Sequence, residues 1–204
     1  MIAIIQYGSG NTSAIANIFK QLKVPHCVTS DHRELRQAER YVLPGVGAFD
    51  TTMANLAASG TIDLLNEEVI GRGKKVLGIC VGMQIFADSS DEGELPGLGW
   101  IPGRVKRIDA SALSSGPGLP HMGWNTIATH GRSKLFDGVE LSRGFYFLHS
   151  YFFDATDDDH VIATVDYGGR IACAVAHGSV VGTQFHVEKS HASGVAVFRN
   201  FAGV

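Results

Sequence analysis

The sequence predicts an α/β fold, in which a mostly parallel sheet carries helices on both faces and antiparallel strands extend it in the C-terminal half. Over roughly the first ninety residues, apolar β-branched runs alternate with amphipathic segments, which is typical of parallel strands joined by helices. Further along the chain the strand-like runs are short and are broken by Gly or Asp, which favours antiparallel pairing. The 204 residues, 45% hydrophobic and 18% charged, suit one globular domain spanning 1–204.

Four apolar runs predict the strands of the N-terminal half: Met1–Gln6, His26–Thr29, Arg40–Leu43 and Lys75–Ile79. The first helix is expected to begin at Asn11 or Thr12, and its apolar face is formed by Ile15, Ile18, Phe19 and Leu22. A short second helix begins at the capping-box-like pair Asp31 and Glu34. Further helices are predicted over about 61–72 and directly after Cys80.

Six short runs predict strands in the C-terminal half: Arg104–Ile108, Trp124–Ala128, Gly144–Phe153, Val161–Val165, Ile171–Ala176 and Val180–Phe185. A closing helix is expected over Ser190–Phe201, with an inner face formed by Val195, Phe198 and Phe201. Asp88–Gly99 and Ser111–Gly118 are interpreted as exposed loops.

Charge and hydropathy argue against several classes of protein. The net charge of −3 provides no basic surplus for a nucleic-acid partner. No apolar stretch reaches the roughly 18 residues of a membrane span, and the N-terminus lacks the features of a signal peptide. The three cysteines, Cys27, Cys80 and Cys173, are widely spaced and form no CxxC pair, so we expect no disulfide framework and a cytoplasmic location.

Cys80 is the candidate nucleophile because it occupies a Gly-x-Cys-x-Gly run, Gly78 to Gly82, between a predicted strand and a predicted helix. This is the pattern of a nucleophile elbow, in which glycines allow a sharp turn. The helix N-terminus favours a thiolate, and the N–H of Val81 points to where an oxyanion would form. A buried structural cysteine in a glycine turn would give the same pattern.

His186 and Glu188 are the candidate base and its orienting carboxylate. They follow the run Val180–Phe185, and residues i and i+2 of an extended strand face the same side. One alternative is a solvated pair at a strand end. Another is a metal site completed by His191 or His149, although no HExxH or CxxC motif supports a metal.

A second source of oxyanion donors is the run Pro44-Gly45-Val46-Gly47, which ends a different predicted strand. Glycine permits backbone conformations that expose N–H groups to a ligand. The alternative is a plain turn from strand to helix.

Taken together, Gly78–Gln84 and His186–Ser190 resemble the class I, triad-type glutamine amidotransferases. Four more runs narrow this resemblance to the glutaminase subunits of imidazole glycerol phosphate synthase, of histidine biosynthesis: Tyr7–Asn11, Pro44–Phe49, Pro120–Asn125 and Leu148–Tyr151. The match extends from end to end of the chain. The run Pro120–Asn125 is its most specific part, because the triad motif is shared by many amidotransferases.

The resemblance implies a flavodoxin-like fold and hydrolysis of L-glutamine. Cys80 would attack the side-chain amide, His186 held by Glu188 would pass a proton to the leaving ammonia, and water would hydrolyse the thioester. Backbone groups around Val46, Gly47 and Val81 would serve the oxyanion. The glutamine would be held by Gln84, His149, Ser150 and Tyr151. The alternatives are a helix-surface role for Gln84 and a strand with a buried tyrosine at 149–151. No cofactor or metal is implied.

The resemblance also implies a heterodimer with a (β/α)₈-barrel synthase (cyclase) subunit that receives the ammonia. Such a direct transfer keeps the ammonia from becoming protonated in water. The partner-facing positions would be Asn11, Met122, Trp124 and Lys189, although simple core packing is an alternative for Met122 and Trp124. The chain departs from the family pattern at Val187, where proline is common, and at Val81, where leucine is common.

Two other functions stay open at this point. The chain could be the glutaminase of another pathway, such as pyridoxal phosphate synthesis, which the runs Pro44–Phe49 and Pro120–Asn125 disfavour. It could also be a catalytically silent regulatory or scaffolding subunit, which the complete set Cys80, His186 and Glu188 disfavours.

Overall fold

The computed structural model describes residues 1–113, 118–131 and 133–204. The strands in this part of the chain are β1 (Ile2–Ile5), β2 (His26–Thr29), β3 (Arg40–Gly45), β4 (Lys75–Cys80), β5 (Ser89–Ser90), β6 (Gly103–Arg107), β7 (His121–Asn125), β8 (Ile127–Thr129), β9 (Phe145–His149), β10 (Tyr151–Ala155), β11 (Val161–Asp166), β12 (Arg170–His177) and β13 (Val180–Thr183). The α-helices are α1 (Thr12–Gln21), α2 (His32–Gln37), α3 (Phe49–Ala58), α4 (Ile62–Leu65), α5 (Val81–Gln84) and α6 (His191–Ala202). A π-helical segment, Asn66–Gly71, continues α4.

The main sheet has eight strands in the order β2-β1-β3-β4-β13-β12-β11-β8. Neighbours from β2 to β13 are parallel, and β12, β11 and β8 are added antiparallel. This confirms the predicted mixed, mostly parallel sheet. A three-stranded sheet, β10-β6-β5, and a two-stranded ribbon, β7-β9, lie outside it. Because β3, β4 and β13 are parallel neighbours, the segments that follow them leave the sheet at the same edge.

The N-terminal helices begin where the sequence predicts. The side chain of Asn11 caps α1 by accepting from the N–H of Ala14 at 3.2 Å, and Asp31 caps α2 through the N–H groups of Arg33 and Glu34. Helix α3 is absent from the prediction. It lacks a local capping side chain, and its first N–H, that of Phe49, instead donates to Glu92 of a distant loop at 2.9 Å.

Several boundaries were predicted wrongly. The run Trp124–Ala128 is divided between β7 and β8, and Gly144–Phe153 between β9 and β10, because the chain changes sheets at Thr126 and at Ser150. On α6, Phe198 and Phe201 are buried as expected, but Val197 faces the core where Val195 was expected. The predicted loop Asp88–Gly99 contains the two-residue strand β5, and part of the loop Ser111–Gly118, residues 114–117, lies outside the described residues.

The junction between β4 and α5 depends on close backbone contact with the end of β3. A Cβ atom on Gly82 would lie 2.0 Å from the carbonyl oxygen of Leu43, and a Cβ on Gly45 would lie 2.3 Å from the backbone nitrogen of Gly82. A Cβ on Gly78 would lie 2.5 Å from the carbonyl oxygen of Gly82. Only glycine therefore permits the turn that carries Cys80. Among the helices described, none is long and apolar enough to cross a membrane.

We expect Gly82→Ala to lower the free energy of unfolding by about 3 kcal/mol or to prevent folding, because the added methyl group would collide with the β3 backbone. Gly71→Ala is the matched control, since its Cβ would meet no atom closer than 3.8 Å. Urea unfolding of both variants measures the difference. Equal stabilities would contradict the backbone contact.

Candidate active site

Cys80 ends β4 in a backbone conformation that few residues other than glycine adopt, with φ 56° and ψ −116°. Such a strained residue at a turn between strand and helix is typical of a nucleophile elbow. The side chain is buried, and helix α5 that follows has only four residues. Because the helix has a single turn, its dipole is small and would stabilise a thiolate only weakly.

His186 and Glu188 form a buried pair, in which Nδ1 of His186 lies 2.9 Å from Oε1 of Glu188. The predicted contact is present, but the predicted reason is wrong. β13 ends at Thr183, and Val187–Lys189 form a turn of 3₁₀ helix that brings the two side chains together. The backbone is held in place because Ser190 Oγ donates to the carbonyl of His186 at 2.7 Å.

Two opposing effects set the pKa of His186. Burial lowers it, but hydrogen bonds and charge from Cys80 and from Glu188 together outweigh burial and raise it to about 10. The imidazole is therefore protonated at neutral pH. Cys80 and His186 line the same cavity.

A small cavity of about 140 Å³ brings the predicted residues together. It is lined by most of the residues expected at the site, with Glu92 and Leu148 added: Val46, Gly47, Cys80, Val81, Gln84, Glu92, Leu148, His149, Ser150, Tyr151 and His186. Cys27 and Cys173 do not line it, and burial raises the pKa of both thiols. In the part of the chain that the structure describes, no group of three or more potential ligands could hold a metal ion.

The two expected oxyanion donors of the β3 loop differ in their hydrogen bonding. The N–H of Val46 donates to Ser9 Oγ at 2.8 Å, and the Ser9 hydroxyl donates to the carbonyl of Val46 at 3.0 Å. In this conformation Val46 is therefore not the free oxyanion donor that the sequence predicts. Gly47, with φ 117°, and the N-terminus of α5 at Val81 both face the cavity.

Gln84 is buried and is not on the helix surface. Its Nε2 donates to the carbonyl of Tyr151 at 3.0 Å and to Oε1 of Gln184 at 2.9 Å. Gln184 in turn directs its Nε2 to Sγ of Cys80 at 3.8 Å. Sequence reasoning missed Gln184. Gln184 lies two residues before His186, in the segment that leads into the site, and this position could have indicated it.

The mouth of the cavity has an apolar rim, which we define as Val46, Met122, Trp124 and Leu148. These side chains are 54%, 62%, 49% and 37% exposed, so core packing is excluded for Met122 and Trp124. Lys189 and Asn11 are also exposed, and Lys189 Nζ lies 5.5 Å from the ring centroid of Tyr146. Exposed apolar side chains grouped in this way are typical of an interaction surface.

Sequence comparison assigns the family. The family model described as "Glutamine amidotransferase class-I" matches residues 3–203. The chain is 48% identical to "Imidazole glycerol phosphate synthase subunit HisH" of Bdellovibrio bacteriovorus and 45% identical to the protein of that name from Leptospira interrogans, with 100% of each chain covered in both cases. The chain belongs to the class-I glutamine amidotransferases.

Solved structures agree with this class-I amidotransferase fold. A crystal structure of a glutamine amidotransferase has a TM-score of 0.73 at 17% identity, and each chain is covered completely. The structure of PurLQS from Thermotoga maritima has a TM-score of 0.69 at 19% identity, with 99% of this chain and 97% of the other covered.

We expect Ser9→Ala to raise the glutaminase activity of the isolated amidotransferase chain by about 10-fold, because the N–H of Val46 becomes available to an oxyanion. Ser9→Thr keeps a hydroxyl group and is the control. Glutamate release measures both variants. An unchanged or lower activity in Ser9→Ala would show that the Ser9 contact does not restrain a catalytic donor.

We expect Glu188→Gln to lower the pKa of His186 by at least about one unit, because one of two groups that favour the protonated ring is lost. NMR titration of the ring measures this pKa. In the unmodified protein, the stability that His186 contributes is complete below the unfolded pKa near 6.5 and is lost as pH rises through about 10. The variant should therefore lose less stability across this pH range, and equal losses would count against the ion pair.

Proposed function

We propose that this chain, as a single domain over residues 1–204, hydrolyses L-glutamine to L-glutamate and ammonia in the cytoplasm. It would pass the ammonia to a (β/α)₈-barrel cyclase subunit of imidazole glycerol phosphate synthase, as a heterodimer in L-histidine biosynthesis. The main support for this proposal is that Cys80 and the protonated His186 ring line one cavity, with Glu188 hydrogen-bonded to the ring.

In the first step, the sulfur of Cys80 bonds to the side-chain amide carbon of glutamine, and the carbonyl electron pair moves to oxygen. His186 gives its proton to the amide nitrogen, the C–N bond breaks, and ammonia leaves a thioester. In the second step His186 takes a proton from water, which attacks the thioester carbon. The C–S bond then breaks, glutamate is released, and the thiolate is restored.

The assigned roles follow from position. Glu188 keeps the His186 ring oriented and charged before the proton is transferred. The N–H groups of Val81 and Gly47 would face the oxyanion, and that of Val46 would join them once it leaves Ser9. The substrate would be held by four residues that line the cavity: Gln84, His149, Ser150 and Tyr151.

The apolar rim supports the transfer to a partner. Two of its members, Val46 and Leu148, also line the cavity, so a protein bound at the rim would cover the opening above Cys80. Covering the opening would exclude water from the released ammonia. Met122, Trp124, Lys189 and Asn11 would then lie at the interface, where Met and Trp are favoured anchors.

The alternative of a catalytically silent subunit is disfavoured by the same geometry. A silent subunit has no need of the strained backbone at Cys80, which reduces stability, beside a histidine that is kept protonated. The pyridoxal phosphate pathway is disfavoured because both relatives described above have names that refer to imidazole glycerol phosphate synthase.

We expect Cys80→Ser to abolish glutamine-dependent turnover of the complex with its cyclase partner, with residual activity below about 1%. Turnover with added ammonium salt should stay unchanged, because the cyclase site does not require the thiol. Product formation from each nitrogen source measures the two activities. Cys173→Ser, at a buried cysteine outside the cavity, is the control for a thiol that does no chemistry. Loss of both activities in Cys80→Ser would contradict a separate role in supplying ammonia.

A further inference from the structure

The β7-β9 ribbon has two different faces. Its register pairs His121 with His149 and Met122 with Leu148. Because side chains alternate along a strand, Met122 and Leu148 point outward to the apolar rim, while both histidines are buried beneath it. The mechanism assigned above gives no role to His121, although a buried imidazole is costly unless its nitrogens are hydrogen-bonded.

The hydrogen bonds of the two rings determine which nitrogens carry hydrogen. Nδ1 of His149 lies 2.8 Å from the carbonyl oxygen of Tyr151, which can only accept, so this nitrogen is protonated. In a neutral ring Nε2 of His149 is then an acceptor, and His121 Nδ1, at 3.0 Å, must donate to it. Nε2 of His121 accepts in turn from Nδ2 of Asn125 at 3.3 Å. All four ring nitrogens therefore have partners in one directed chain.

Both rings are neutral at neutral pH, as this chain of hydrogen bonds requires. Burial lowers the pKa of His121 to about 4. Burial also lowers the pKa of His149, to about 3, although its hydrogen bond to the Tyr151 carbonyl acts in the opposite direction, and the charge of His186 lowers this pKa further. A proton added to either ring would place two donors against each other, so the chain persists only while the rings are neutral.

The packing around His121 does not itself require a histidine. The ring is stacked between Phe147, at 4.5 Å and 18°, and Tyr167, at 3.9 Å and 19°. A phenyl ring would make the same stacking contacts. What a phenyl ring lacks is the donor to His149, so packing and hydrogen bonding can be separated by substitution.

The chain of hydrogen bonds ends on the wall of the cavity. His149 and Tyr151 both line it, and the carbonyl of Tyr151 also accepts from Nε2 of Gln84. His121 does not line the cavity itself. Its link to the cavity wall is the hydrogen bond that it donates to Nε2 of His149.

We propose that His121 is a positioning residue for glutamine binding: its Nδ1–H holds the His149 ring, and with it the wall at Tyr151, in the geometry that the substrate meets. This inference rests on the proposed glutaminase activity. It predicts an effect on KM, since in the proposed mechanism this wall binds the substrate while His186 transfers the proton.

Two variants separate the hydrogen bond from packing. His121→Phe keeps the stacking and removes the donor, and we expect the KM for glutamine to rise about 10-fold while kcat changes less than about 3-fold. His121→Asn loses the stacking but places an amide N–H near the position of Nδ1, so its KM should stay within about 3-fold of the unmodified protein. His130→Phe, at a half-buried histidine bonded to Thr164 away from the cavity, is the matched control.

A measurement on the unmodified protein covers the case in which a variant does not fold. ¹⁵N NMR of the histidine rings at pH 7 should show His121 and His149 neutral, each with hydrogen on Nδ1. A proton on Nε2 of His149, or a charged ring at either position, would overturn the proposal. So would an unchanged KM in His121→Phe, or equal KM increases in both variants. Absence of glutaminase activity in the unmodified complex would instead refute the proposed function.

Discussion

The structure of the site depends on the close approach of two backbones where β3 and β4 end. The glycines at 45 and 82 allow the backbones to meet, and the elbow between them holds Cys80 at φ 56°. A strained residue of this kind costs about 1–3 kcal/mol and persists only where the surrounding structure over-determines it. Here the parallel neighbours β3 and β13 fix β4 on both sides. The same turn places the sulfur of Cys80 and the N–H of Val81 at the cavity.

Three histidines within this small region are held in two different charge states. Burial disfavours the charged form of each ring, because all three are removed from water. Only His186 has Cys80 and Glu188 as partners, and their hydrogen bonds and charge raise its pKa by more than burial lowers it. His121 and His149 have neutral partners and stay uncharged. A proton is thus kept on the His186 ring, and the two neutral rings support the part of the cavity wall formed by His149 and Tyr151.

The opening of the cavity and the apolar rim lie on one side of the molecule. The outer side chains of the β7-β9 ribbon belong to the rim, and its inner side chains support the cavity wall. Val46 belongs to both features, and its peptide is engaged by Ser9. A partner bound at the rim would therefore touch the elements that shape the site, which gives docking a physical route to influence glutamine hydrolysis.

The sequence by itself determined the β-branched strands, the capped helices α1 and α2, the glycine elbow, and the pairing of His186 with Glu188. Each of these depends on residues that are close together in the chain. Only the tertiary structure decided the remaining contacts. Glu92 caps α3 from 43 positions along the chain, and Ser9 binds Val46 over a separation of 37 residues. His121 and His149 are 28 residues apart in the sequence, and Gln184 and Cys80 are 104 residues apart. Such partners carry no local pattern, because strand order and register place them side by side only after the sheet and the ribbon have formed.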